Sequence, residues 1–145
     1  MPEVLRISMN SALYKGERDL RNRELLRPIG VPDFGWEMYD VSSFHFVAVD
    51  GEEVVGCALL YPVPLMPGEA QLMQMAVSSS SRGTGLGRQL MEHVTGFALE
   101  SGFASIVCHA RDSAVGFYRR HGFRVYGEPF EEVGVTHSYM RLILK

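Results

Sequence analysis

The chain has little of several features that mark specialised protein classes. Its 145 residues include two cysteines, Cys57 and Cys108, which stand in apolar contexts without the spacing of metal ligands. We therefore expect buried free thiols and no bound metal, rather than a disulfide framework. No apolar run reaches the length of a membrane-spanning helix, and residues 1–10 lack a signal-peptide pattern. These absences predict one cytoplasmic domain over residues 1–145.

Concentrated charge of one sign is also missing. The formal net charge is -3, and no long run of like charges occurs. We expect neither a nucleic-acid-binding surface nor a polybasic membrane patch, because both need clustered basic residues. The expected partners are therefore small molecules or peptides, and the sequence leaves a homodimer open.

The most informative feature is a glycine loop. Residues 82–87 read Arg-Gly-Thr-Gly-Leu-Gly, between a strand-like apolar run at 72–77 and an amphipathic helix at about 85–101. Backbone amides at such a turn, together with the helix dipole, favour a phosphate or pyrophosphate. No Lys-Ser/Thr pair follows the glycines, and their alternating spacing departs from the dinucleotide fingerprint. The plainer alternative is a loop whose glycines only let the chain turn.

The remaining pattern predicts a sheet with helices. Strands are expected at residues 4–8, 45–49, 54–61, 71–77, 105–109 and 139–144, with a further helix at 13–27 and an aromatic loop at 30–40. Asp50-Gly51 predicts a tight hairpin between the second and third strands. The strand–helix–strand–helix order from 72 to 123 implies parallel pairing of the fourth and fifth strands.

Two motifs make the chain similar to the GNAT superfamily of acyl-CoA-dependent N-acetyltransferases. The family's pyrophosphate signature, Gln/Arg-x-x-Gly-x-Gly/Ala, is met by Arg82, Gly85 and Gly87. A second signature, Asn/Asp-x-Ala-x-x-Phe-Tyr-x-x-x-Gly-Phe, is met by Asp112, Ala114, Phe117, Tyr118, Gly122 and Phe123. The resemblance extends from about residue 44 to the C-terminus. Residues 131–137 also resemble a Glu-Val-Gly-Ile-Pro-His run of some small members, with Thr136 replacing the proline.

This resemblance implies the GNAT fold, a mixed α+β or α/β architecture with a mostly antiparallel twisted sheet flanked by helices. The fourth and fifth strands are parallel and splayed apart in that fold. The resemblance also implies acetyl-CoA as co-substrate. Its pyrophosphate is expected on the loop formed by Arg82, Gly83, Thr84, Gly85, Leu86 and Gly87, and its pantetheine arm along the backbone of Met75, Ala76 and Val77. Asp112, where the family often has Asn, and Phe117 complete the expected cofactor-binding set.

Tyr118 matches the tyrosine that in many members donates a proton to the CoA sulfur. A phenol, with an ordinary pKa of about 10, is protonated at neutral pH; packing of a short helix is the alternative role. The fourth strand carries Gln71 and Gln74, and Glu69 is expected in the loop before it. We therefore expect His137, just before the last strand, to be the general base, with His109 or ordered water as alternatives.

Three functions fit the sequence. The first is N-acetyl transfer from acetyl-CoA to a primary amine of a small molecule or a protein. The second is a non-catalytic acyl-CoA-binding sensor, which would need the glycine loop but not Tyr118. The third is a synthase of the acyl-homoserine lactone type, whose usual length and N-terminal residues are not matched here. The amine depends on the loops at residues 30–40 and 62–68, which vary freely on one fold.

Overall fold

Seven strands form one sheet in the computed structural model, which describes residues 2–144. The spatial order is β1-β2-β3-β4-β5-β7-β6. The strands are β1 (Glu3–Ile7), β2 (Phe44–Asp50), β3 (Glu53–Pro62), β4 (Glu69–Val77), β5 (Ser105–Arg111), β6 (Arg124–Glu132) and β7 (Val135–Ile143).

Within residues 2–144, three α-helices cover the sheet: α1 (Tyr14–Arg21), α2 (Leu86–Glu100) and α3 (Val115–Arg120). A π-helical turn, Asn22–Leu26, continues α1, and single 3-10 turns cover Arg27–Ile29, Glu37–Ser42, Ser79–Ser81 and Asp112–Ala114. None of the helices between residues 2 and 144 is long and apolar enough to cross a membrane.

The parallel pair is the feature that opens the sheet. β4 pairs with β5 only from Glu69 opposite Ser105 to Leu72 opposite Cys108, while the other neighbouring strands pair in antiparallel fashion. Beyond these four positions the two strands diverge and each keeps an unpaired edge. The predicted mixed architecture, with one splayed parallel pair in a mostly antiparallel sheet, is confirmed.

Helices bury both faces of the sheet. On one face, Leu86, Leu90 and Val94 of α2 are buried against strand residues, as the helical spacing predicts. On the other face, Leu20 of α1 is buried against Val47, Val49, Val54, Cys57 and Ala76. The sheet therefore separates an α2 side from an α1 side, and the splay connects the two.

Several predicted boundaries were wrong. β6 was not expected at all, the last strand begins at Val135 rather than Tyr139, and the loop at 30–40 ends in a 3-10 turn. β4 already begins at Glu69, so the fourth strand does carry a carboxylate. Glu69 accepts a hydrogen bond from Arg141 at 3.1 Å, at the paired end of the strand and away from the splay. His137 consequently lies inside β7, where it pairs with Arg111 of β5.

Candidate active site

A cavity of about 440 Å³ occupies the splay between β4 and β5. Of the residues predicted from the sequence, it brings together Met75, Ala76, Val77, Arg82, Tyr118 and His137. The others, Gly83, Thr84, Gly85, Leu86, Gly87, Asp112 and Phe117, are not among its lining residues. Asp112 is exposed on its 3-10 turn, and Leu86 is a buried core residue at the start of α2.

The open edge of β4 presents backbone groups to this cavity. The amide of Ser78 donates to the Val55 carbonyl of β3 at 2.8 Å, so alternate residues of β4 face β3. The alternation directs the backbone of Ala76 to β3, and that of Met75 and Val77 to the splay. An extended ligand chain has unpaired donors and acceptors there to pair with.

A β-bulge interrupts β4 just before this edge. The register passes from Leu59 opposite Met73 to Cys57 opposite Ala76, which leaves one extra residue in β4. Gln74 has a φ of 52°, unusual for a residue other than glycine. Among the described residues its Oε1 is a buried side-chain oxygen without a hydrogen-bond partner, and Gln74 lines the cavity. Backbone strain and an unpaired polar atom together make Gln74 a candidate ligand-binding position.

The glycine loop leads into the amino-terminal end of α2. Gly85 is the residue before the helix and has a φ of 85°, a conformation that side chains with a Cβ rarely adopt. No side chain caps this end, so the first amides of α2 lack side-chain acceptors. A Cβ on Gly85 would meet nothing within 4 Å, so the loop is open on its outer side. This geometry suits a phosphate group.

Gly87 has a different role from Gly85. It lies inside α2, where an added Cβ would come within 3.2 Å of Phe117 Cε1. Phe117 also contacts the rings of Tyr118 and His121, with centroids 5.4 and 4.7 Å away. The absent side chain at Gly87 therefore lets α3 pack closely on the start of α2, and Phe117 supports Tyr118 from behind.

Arg82 of the loop is held by a carboxylate that the sequence did not reveal. Its Nη2 donates to Glu24 Oε1 at 2.9 Å, and the Ser79 amide donates to Glu24 Oε2 at 3.1 Å. Glu24 is on the π-helical turn after α1, with its side chain 8% exposed, and it lines the cavity. The bridge ties the α1 side to the glycine loop. The Arg82 side chain itself stays 62% exposed, at the rim where a charged ligand group would arrive.

Tyr118 is partly buried on the α2 side of the sheet. Burial raises the pKa of its hydroxyl well above the ordinary value, the nearby Cys108 adds to this, and Arg111 opposes it. The phenol is therefore protonated throughout the physiological range. Among the described residues no partner forms a hydrogen bond with the hydroxyl, which leaves its proton available to a ligand in the cavity.

His137 lies on the α1 side and is 4% exposed. Cys108, Ala110 and Met140 pack in the core with α2, so the alternation along β5 and β7 places His137 on the opposite face. Its Nδ1 lies 2.7 Å from the Val135 carbonyl. Because a carbonyl only accepts, Nδ1 carries the hydrogen, and Nε2 of the neutral ring has a free lone pair.

Glu132 and His109 join His137 on this face and were not recognised together from the sequence. His109 Nδ1 donates to Glu132 Oε2 at 3.0 Å, and His137 Nε2 lies 3.9 Å from Glu132 Oε1. All three line the cavity. Between residues 2 and 144 no group of three His, Cys, Asp or Glu side chains has the geometry to hold a metal ion. The available signal was the run at 131–137, which contains Glu132.

A buried charge cluster fixes the wall on the α1 side. Arg21, 1% exposed, donates to both oxygens of Asp40 at 3.0 Å and to Glu17 at 2.8 Å. His45 contacts Glu17 at 2.9 Å and the Asp40 carbonyl at 2.8 Å, and Tyr14 donates to the Asp40 carboxylate. Asp40 lies on the turn Glu37–Ser42. The cluster therefore anchors the segment that contributes Trp36 and Tyr39 to the cavity.

Comparison with known proteins agrees with this geometry. Residues 33–144 match the family described as acetyltransferase (GNAT) domain. The uncharacterized N-acetyltransferase YjcF of Bacillus subtilis is 32% identical over 99 residues, covering 68% of this chain and 69% of that protein. The chain spans less than half the length of the mammalian N-acetyltransferase 8 relatives that it also matches.

Solved structures show the same fold at low sequence identity. Escherichia coli ElaA superposes with a TM-score of 0.87 and 20% identity, over 98% of this chain and 99% of that one. A GNAT family acetyltransferase of Elizabethkingia anophelis, crystallised with acetyl-CoA bound, gives a TM-score of 0.75 and 21% identity over 99% and 98% of the two chains. The chain belongs to the GNAT family of acetyltransferases.

Proposed function

We propose that residues 1–145 act as one cytoplasmic domain that transfers an acetyl group from acetyl-CoA to a primary amine of a small molecule or a peptide. The observation that carries this proposal is the splay of β4 from β5, with the glycine loop at one end and Tyr118 at its side. The two buried thiols support a reducing compartment. The acetyl-CoA bound to the Elizabethkingia anophelis enzyme supports the choice of donor.

Each part of the ligand has a matching part of the chain. The amides of residues 83–87 and the guanidinium of Arg82 would receive the pyrophosphate, and the open edge at Met75 and Val77 would pair with the pantetheine arm. The unpartnered Gln74 Oε1, next to Met75 in the lining of the same cavity, would be within reach of this arm. The thioester supplies an acetyl carbonyl that is already activated towards attack by an amine.

The protein supplies acid and base on opposite faces of the sheet. Tyr118, protonated because burial raises the pKa of its hydroxyl, gives its proton to the departing sulfur. Nε2 of His137 accepts the proton of the incoming amine from the α1 side. The splay lets the two faces meet at the reacting carbonyl, so the amine and the thioester can approach from different sides.

The size of the cavity limits the acceptor. About 440 Å³ must hold the end of the pantetheine arm, the acetyl group and the amine. Cavities of this order are typical of small-molecule sites, which favours a small amine or the end of a peptide as acceptor. Its α1 wall is apolar and aromatic, with Ile29, Trp36 and Tyr39.

The test is release of CoA thiol from acetyl-CoA in the presence of a panel of primary amines, with peptides that have a free amino terminus included. Tyr118→Phe should lower kcat about 10²- to 10⁴-fold while the acetyl-CoA-induced rise in melting temperature is kept. His137→Asn should lower kcat/KM similarly. Acetyl-CoA binding without thiol release for any amine would favour the non-catalytic sensor instead. Absence of acetyl-CoA binding would refute the proposed function.

A further inference from the structure

The carboxylate of Glu132 has a fixed place in the cavity although it ends an exposed edge strand. One oxygen, Oε2, accepts the hydrogen bond from His109 Nδ1 at 3.0 Å. The His109 ring is itself held edge-on by Phe130 and Tyr139, with both centroids 5.2 Å away. Glu132 pairs with Val135 across a two-residue turn, which fixes its backbone. This side chain is therefore supported from two directions.

The second oxygen of Glu132, Oε1, faces His137. Oε1 and His137 Nε2 are 3.9 Å apart, too far for a direct hydrogen bond. In the neutral form of the His137 ring the hydrogen is on Nδ1, so Nε2 is an acceptor there, as Glu132 Oε1 is. A donor placed between them would form a hydrogen bond to each atom.

A primary ammonium group fits this gap. A nitrogen 2.9 Å from each of two atoms that are 3.9 Å apart sees them at an angle of about 85°. This is close to the tetrahedral angle, so each N–H bond deviates from its acceptor by only about 12°. An ammonium has three N–H donors, so one remains for a further partner. A hydroxyl has a single donor and no positive charge, and can satisfy only one of the two acceptors.

We infer that Glu132 and His137 form the acceptor subsite of the enzyme, in which Glu132 Oε1 and His137 Nε2 bind the acceptor as its primary ammonium. His109 is a positioning residue that acts through Glu132. This inference rests on the proposed function and names the group that recognises its second substrate.

The proton transfers balance within this arrangement. One ammonium proton passes to His137 Nε2, and the neutral nitrogen forms the new C–N bond while the C–S bond of the thioester breaks. Tyr118 gives its proton to the sulfur, and a second proton from the nitrogen restores the phenol. His137 then releases its proton to water. The products are the N-acetylated amine, CoA thiol and one proton. The carboxylate of Glu132 faces the imidazolium of His137 and stabilises it.

The experiment compares two neighbouring isosteric changes, Glu132→Gln and Glu131→Gln. Glu131 is the adjacent carboxylate and is exposed on the edge strand, away from the cavity. The probe is 2-phenylethylamine, chosen because the α1 wall contains Trp36 and Tyr39. Thiol release is measured at saturating acetyl-CoA, and 2-phenylethanol serves as the neutral competitor of the same shape.

For Glu132→Gln we expect kcat/KM for 2-phenylethylamine to fall about 10- to 100-fold, mostly through KM, because a charge-assisted hydrogen bond is lost. Inhibition by 2-phenylethanol and the acetyl-CoA-induced thermal shift should be unchanged. Glu132→Asp should recover part of the loss, and Glu131→Gln should behave as wild type.

Three results would overturn the inference. One is a KM for 2-phenylethylamine in Glu132→Gln that equals the wild-type value. Another is a loss of 2-phenylethanol binding in this variant as large as the loss of 2-phenylethylamine binding, which would show that Glu132 affects only the shape of the subsite. The third is wild-type protein that binds 2-phenylethanol as tightly as 2-phenylethylamine, since the subsite would then not recognise the ammonium group. Failure to bind acetyl-CoA, or binding of acetyl-CoA without thiol release for any amine, would instead point to the proposed function as the error.

Discussion

Asp40→Asn tests whether the buried charge cluster holds the α1 wall of the active site. The carboxylate of Asp40 accepts two hydrogen bonds from Arg21 and one from Tyr14, and Arg21 is 1% exposed. The substitution keeps the shape of the side chain and removes its charge, so the guanidinium retains Glu17 as its only anionic partner. Water cannot replace the missing charge in this buried position.

The expected magnitude follows from the number and burial of these contacts. Hydrogen bonds to charged groups contribute about 1.5 to 3 kcal/mol each, and removing one member of a buried ion pair costs about 3 to 5 kcal/mol. Since the amide keeps part of the hydrogen bonding, we expect a loss of about 3 kcal/mol in the free energy of unfolding. For a domain of this size the melting temperature should fall by about 10 °C.

The assay is urea unfolding followed by tryptophan fluorescence, with Trp36 as the reporter because it is the only tryptophan of the chain. Asp19→Asn is the matched control. Asp19 pairs with Lys15, but both side chains are exposed, 47% and 84%, so this change should stay within about 0.5 kcal/mol. A loss below about 1 kcal/mol in Asp40→Asn would refute the view that the cluster anchors this wall.

Three further predictions concern the glycine loop, the pH dependence of stability and the β6–β7 turn. Gly85→Val should abolish the acetyl-CoA-induced thermal shift, because valine is strained at a φ of 85° and its side chain would cover the loop amides. Gly51→Val is the control: it imposes similar backbone strain at a remote hairpin and should keep the shift. Burial lowers the pKa of His45, but the hydrogen bonds to Glu17 and to the Asp40 carbonyl, together with the negative charges of both carboxylates, outweigh it and raise this pKa overall. The stabilising effect of His45 is therefore complete below about pH 6.5 and is lost as the pH rises through the folded-state pKa. The urea midpoint should therefore decline above that pH, and His45→Gln should remove this part of the decline. Val133→Asn should raise the melting temperature by a few degrees, about 1 kcal/mol, because Val133 has a φ of 49° in a two-residue turn that favours Asn before Gly; an unchanged or lower value would refute this reading of the turn.

Helix α2 and the parallel pairing of β4 with β5 were predictable from the sequence. The pattern of Leu86, Leu90 and Val94 gave the helix and its buried face, and the strand–helix–strand order gave the parallel pairing that opens the sheet. These features depend on local periodicity and on chain order, both of which a single sequence contains.

The acceptor side was harder to predict because it depends on long-range pairing. β6 contains Gly127 and Pro129 and is exposed for most of its length, so it lacks the alternation that marks a half-buried strand. Without β6, the position of Glu132 beside His109 was invisible, since the two residues are far apart in the chain. Glu24 reaches Arg82 from a π-helical turn, which no local pattern indicated.

The contact between Gly87 and Phe117 constrains how the family signatures can change. A Cβ at position 87 would lie 3.2 Å from Phe117 Cε1. The last glycine of the first motif is therefore in close steric contact with the phenylalanine of the second motif. A side chain at position 87 would therefore push the Phe117 ring by a few tenths of an ångström, unless a smaller residue at position 117 makes room for it. Protein engineering could use the same contact. Combining Gly87→Ala with Phe117→Leu would change the distance between α2 and α3 by a fraction of an ångström, and the position of Tyr118 would change with it.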